Sequence, residues 1–71
     1  MLTADGFERA KIGVLRRAAQ EDIAVYDYDL CVAILQSREE WTDDEAIEWM
    51  EHNVVGSWLG EGTPGFLVRN G

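Results

Sequence analysis

Three short stretches of this chain carry residue types that do chemistry. GEGTPG, residues 60–65, has the Gly-x-Gly-x-x-Gly spacing of a phosphate-binding turn. Such a turn works when it follows a strand and opens a helix, so that backbone amides and the helix dipole point at the anion. Here the preceding segment reads as a helix, Pro64 removes an amide donor, Glu61 repels phosphate, and only six residues follow Gly65. The expectation is a helix stop, with Gly60 just past the last helical residue, and then a turn into a strand. Glu48 and His52 stand at i, i+4, a spacing that could orient a base or hold half a metal site. They read first as a solvated pair near a helix C-terminus, where a cation is welcome. Asp27-Tyr28-Asp29 has the first two acids of a calcium loop but lacks the third acid, the glycine and the closing Glu. No catalytic set, metal site or cofactor is expected, and the chain is not expected to be an enzyme.

A fourth stretch is the most unusual. EEWTDDEAIEWME, residues 39–51, holds seven acids (Glu39, Glu40, Asp43, Asp44, Glu45, Glu48, Glu51) and no base, while the rest of the chain holds seven acids against six bases. Nearly all of the net charge of −8 therefore sits in one segment. Four bases, Arg9, Lys11, Arg16 and Arg17, gather near the N-terminus. A face this acidic repels nucleic acid and attracts basic partners. It also forgoes the i, i+4 Glu–Lys pairs of ordinary surface helices, and like charges at that spacing destabilise by a few tenths of a kcal/mol each.

The elements that must position these acids are legible in outline. Ala10, Ile12 and Val14 alternate within RAKIGVLRR and suit a half-buried strand. IAVYDY (23–28) reads as a second strand, with AAQED closing a hairpin between them. Asp27 or Asp29 caps a short helix, DLCVAILQSR, of about two turns. Thr42-Asp43-Asp44-Glu45 is a capping box. It starts a helix expected to run from Asp43 to Val55 or Trp58, burying Ala46, Ile47, Met50 and Val54, with Asp44, Glu48 and Glu51 on the wet side. Phe66, Leu67 and Val68 suit a third strand returning to the hairpin. The order is β-β-α-α-β: an α+β fold with a small antiparallel sheet and two helices on one face.

Seventy-one residues make a single domain (1–71) with a small core, burying about 60% of the surface its unfolded chain would expose. Cys31 is the only cysteine, which excludes an internal disulfide, and it is expected in the core. No apolar run approaches the ~20 residues that span a bilayer, and MLTADGFERA lacks the apolar stretch of a signal peptide. A cytoplasmic protein is expected. Trp41, Trp49 and Trp58 are read as core or core rim, the alternative being that at least one anchors a partner or a second copy.

GFERAKIGV (6–14), VYDYDLCVAIL (25–35) and TDDEAIEWMEHNVVGSWLGEGTP (42–64) resemble a set of small proteins encoded by phages and prophages. Tyr26, Asp27, Glu45, Ala46, Asn53, Gly56, Gly60, Glu61, Thr63 and Pro64 sit on the shared pattern, whereas Gly65 departs from the bulky apolar residue that usually follows Thr-Pro. The resemblance implies a phage origin and a bacterial host cell. It gives no activity. Small acidic phage proteins that block host defence, anti-CRISPR proteins among them, include imitators of DNA, and that class analogy shapes the leading expectation. It is a non-enzymatic inhibitor whose acidic helix occupies the basic groove of a host nucleic-acid-binding protein, such as the DNA-recognition subunit of a CRISPR effector. Asp43, Asp44, Glu48 and Glu51 are the expected contacts, Glu39 and Glu40 the outer support, and Trp41 or Trp49 the apolar anchor. The alternative is a phage structural or assembly module, a homo-oligomer joined through a strand edge or a Trp face. An enzyme would need Glu48–His52 or Asp27–Asp29 to hold a metal. Neither nucleic acid nor membrane is expected as a direct partner.

Overall fold

The computed structural model describes residues 1–57 and 59–69; the expectations for Trp58 fall outside the described residues. A 3-10 turn, Glu8–Ala10, leads into β1 (Lys11–Leu15) and β2 (Ile23–Asp27). Then come α1 (Tyr28–Glu39), α2 (Asp43–Met50), a π-helical turn (Glu51–Val55) and β3 (Gly65–Leu67). The fold is α+β, in the order β-β-α-α-β expected.

The sheet is mixed rather than antiparallel. β2 is central, with β1 antiparallel on one side and β3 parallel on the other, Val25 facing Gly65 and Asp27 facing Leu67. The cause is the connection: β2 runs straight into α1, and two helices carry the chain back before β3 begins, a crossover of the kind parallel strands require.

β1 also departs from its alternation. Its register with β2 shifts between Lys11 and Gly13, a bulge that puts an extra residue on β1 and breaks the period-two stripe. Ala10 is buried, but Ile12, Val14 and Leu15 are all exposed, so β1 is an uncovered edge and not a half-buried strand.

The core lies between β2, the two helices and the N-terminal turn. Tyr26, Leu35, Met50 and Cys31 are its largest fully buried side chains, joined by Phe7, Ala10, Ala24, Val32 and Ala46. Burial pushes the Cys31 thiol up to about 11, with the Asp27 charge adding to the shift, so this cysteine stays a thiol and packs as a small hydrophobe. The Tyr26 ring stacks on Phe66, 5.8 Å between centroids, and its hydroxyl accepts the Ala4 amide at 2.9 Å. One side chain thus joins β2, β3 and the N-terminal segment.

Asp27 joins more. Its Oδ1 accepts the Leu30 amide at 3.1 Å and caps α1, while Oδ2 accepts from Arg69 Nε at 2.8 Å. Asp27, not Asp29, is the cap, and α1 runs twelve residues, about three turns rather than two.

The helix that starts at Asp43 reaches Val55, but its last turn is π and ends earlier than Gly60. Gly56 donates to the Glu51 carbonyl at 3.0 Å. A Cβ on Gly56 would lie 2.6 Å from that oxygen, so the π turn closes only on a glycine. Gly60 instead takes φ +104 inside the following loop, where Thr63 donates from both its amide and its hydroxyl to the Gly60 carbonyl.

Two outcomes follow. The Arg69 guanidinium, and then the Leu30 amide, hold the Asp27 carboxyl below the usual carboxylate range. A lowered folded value means stabilisation that is complete above the unfolded pKa of about 4 and is lost as pH falls through the folded one. Thermal unfolding followed from pH 7 to pH 2 should show Asp27→Asn less stable at neutral pH, with the gap to wild type closing below about pH 4; parallel curves would remove Asp27 from this role. Gly56→Ala should lose about 1–3 kcal/mol in denaturant unfolding. Gly13→Ala, whose added Cβ meets nothing within 4 Å, should stay within about 0.5 kcal/mol of wild type.

Candidate functional site

The acidic segment spans the end of α1 and all of α2. α1 stops because Glu40 takes a left-handed conformation, φ 58, which turns the chain toward α2. The capping box forms as expected: Thr42 Oγ1 accepts the Glu45 amide at 3.3 Å, and Glu45 Oε1 accepts the Thr42 amide at 2.9 Å. Asp43, Asp44 and Glu45 occupy the first turn, at the positive end of the helix dipole. Ala46 and Met50 are buried and Ile47 and Val54 half-buried, so the apolar stripe matches its expectation and turns the opposite side to water.

All seven acids are exposed, but they are not equivalent. Glu39 pairs with Arg38, Nε to Oε2 at 3.2 Å. Glu45 is engaged in the cap. Glu51 Oε2 accepts from the Tyr28 hydroxyl at 2.7 Å and ties the start of the π turn to α1. Glu40, Asp43, Asp44 and Glu48 make no ion pair or side-chain hydrogen bond among the described residues. Those four are the free carboxylates of the face.

Beside them lies an open recess of about 460 Å³ lined by Trp41, Glu45, Glu48, Trp49, His52 and Asn53. Both indoles are half-buried against the core rim, their centroids 6.2 Å apart and their planes tilted 45°. The structure therefore brings Trp41, Trp49 and Glu48 into one place, and adds Glu45, His52 and Asn53, which sequence reasoning did not select as site residues. The signal was present. Positions 41, 45, 48, 49, 52 and 53 fall at i, i+4, i+7, i+8, i+11 and i+12, one continuous helical stripe beside the apolar one.

The π turn shapes the far wall. His52 Nδ1 lies 3.0 Å from the Glu48 carbonyl and Asn53 Nδ2 donates to the Trp49 carbonyl at 3.3 Å. A carbonyl only accepts, so His52 donates from Nδ1. His52 thus meets the backbone of Glu48 and not its carboxylate, and no group of three His, Cys, Asp or Glu among the described residues could share a metal. The Asp27 carboxylate is held by Leu30 and Arg69. GEGTPG feeds β3, with Leu59 donating to Thr63 Oγ1 at 2.8 Å, and opens no helix. No described helix is long and apolar enough to cross a membrane.

Burial, then the hydrogen bond to Glu51 and the charges of Glu51, Asp29 and Asp43, push the Tyr28 phenol up to about 12. Ultraviolet titration should find Tyr28 still protonated at pH 11 in the wild type and ionising at lower pH in Glu51→Gln; identical titrations would mean that Glu51 does not hold it. Against protein-family models, curated proteins and solved structures the chain finds no match, so its site is read from its own residues.

Proposed function

We propose that this protein is a non-enzymatic binding module that blocks a host nucleic-acid-binding protein by laying its acidic face in the groove meant for nucleic acid. The observation that carries the reading is the group of four exposed carboxylates, Glu40, Asp43, Asp44 and Glu48, on and beside one capped helix and unpaired among the described residues. A nucleic-acid groove is lined with Lys and Arg that replace the counterions of the phosphate backbone. A fixed set of carboxylates competes for the same cations, speeds encounter and sets orientation. Glu39 and Glu51, each with one carboxylate oxygen in a local bond, support the rim of that face. By the class analogy with small phage proteins, the DNA-recognition subunit of a CRISPR effector is the partner proposed.

The test is capture from bacterial host lysate by tagged protein, with elution by rising salt and by duplex DNA. The control is Asp43→Lys, Asp44→Lys, Glu48→Lys and Glu51→Lys combined, checked for folding by circular dichroism. A DNA-binding protein held by the wild type, released by DNA, weakened at least tenfold between 0.1 and 0.5 M salt and lost with the folded variant is the expected result. Retention by the variant, or affinity flat across that salt range, would sink the reading.

A second reading, assembly with copies of itself, is favoured by the two edges of the sheet. Ile12, Val14 and Leu15 are exposed along β1, and Leu67 and Val68 at β3. Sedimentation would support it by finding a tight dimer indifferent to salt.

A further inference from the structure

The recess lined by Trp41 and Trp49 has the chemistry of a cation site. An indole face is the negative side of its quadrupole and attracts a cation within about 6 Å of the ring centroid. Here two indoles meet at 45° and line one recess with Glu45 and Glu48. The aromatic rings and the carboxylates point independently to one ligand class. A phosphate, a nucleotide or an acidic peptide would be repelled.

The cation is external. None of the chain's six bases lines the recess. Arg38, the nearest in sequence, is on Glu39 and over the Phe7 ring, 5.6 Å from its centroid. That contact shows the same pairing of guanidinium and aromatic face inside this fold.

We propose that the recess takes one arginine side chain of the basic partner, its guanidinium stacked on an indole face and donating to the Glu48 carboxylate. The proposal deepens the acidic-face reading above and rests on it. Arginine fits better than lysine because its planar fork can stack and donate in two directions at once, and it is less strongly hydrated than an ammonium. Glu48 is the acceptor because Glu45 Oε1 is held by the Thr42 amide while the Glu48 carboxylate has no partner among the described residues. The Asn53 side-chain oxygen is a further acceptor in the same recess.

The test uses N-acetyl-arginine methylamide, which carries a guanidinium and no other charge, and the matching lysine compound. Both are titrated into 15N-labelled full-length protein. Indole resonances are assigned by Trp41→Phe and Trp49→Phe. The expected result is saturable movement of the Trp41 and Trp49 indoles in the millimolar range, at least about threefold weaker for lysine. Glu48→Gln should weaken it at least about fivefold. Glu48 is exposed, so this variant keeps the fold and leaves the half-buried Trp41 in place. Movement that does not saturate, equal response to arginine and lysine, or binding unchanged in Glu48→Gln overturns the arginine pocket. If the probe fails while the lysine-substituted face still loses the captured partner, the pocket falls and the acidic-face reading stands. If the probe binds and the face substitutions leave capture intact, it is the acidic-face reading that fails.

Discussion

The Asp27 carboxylate is the constraint on which the arrangement depends. It ends the central strand, caps the helix that follows without a loop, and holds Arg69 beyond the third strand. A buried carboxylate is tolerated only when its oxygens are taken by donors, and here each oxygen has one. The two bonds fix opposite ends of the crossover: one sets where α1 starts and the other where the returning strand docks. Between these fixed ends, Leu35 of α1 and Ala46 and Met50 of α2 join Ala24 and Tyr26 of β2 in one core.

The acidic segment combines local stability with a field that stability does not need. Asp43, Asp44 and Glu45 at the start of α2 meet the positive end of the helix, so the first turn offsets part of their mutual repulsion. Glu45 closes the cap and Glu51 holds Tyr28. Beyond what the helix end gives Asp43 and Asp44, the carboxylates of Glu40, Asp43, Asp44 and Glu48 contribute nothing comparable, since exposed charges without partners among the described residues add little to folding at best and repel one another at worst. Their concentration on one face, with most of the bases at the other end of the sequence, makes the charge distribution strongly one-sided. That asymmetry is what binding to a basic surface would use.

How much of this was legible in the sequence depended on whether the signal was local. The capping box is four residues whose bonds lie within one turn, and it formed as read. The order of elements and the buried stripe of α2 were likewise set by short-range periodicity. The direction of β3 was not, because it is decided by a crossover of two helices and by Asp27 meeting Arg69 across forty-two positions. Neither was the exposure of β1, whose residues are exposed on both faces: alternation tells which side chains share a face, not whether any element covers it, and the bulge at the Lys11–Gly13 step breaks the alternation as well. At the site, the charged row was visible because charge is read residue by residue. The recess was missed because Glu45 had been given one role, in the cap, although its position also places it on the stripe with Trp41 and Trp49.

Where His52 and Asn53 line the recess, their placement follows the change from α to π winding after Met50. Continued α winding would let every amide bond the carbonyl four residues back; the π turn reaches five back and Gly56 allows its closure on Glu51. The side chains of His52 and Asn53 then bond the carbonyls of Glu48 and Trp49, which holds them along the wall of the recess. Glu51, at the first π residue, bonds Tyr28 of α1, so the point where the winding changes is also tied to the neighbouring helix. A wide turn held by a glycine at one end and a tyrosine at the other is a local departure from ideal geometry, and such departures are frequent at functional sites. In this protein the departure falls beside the place where the two indoles and the carboxylate of Glu48 come together.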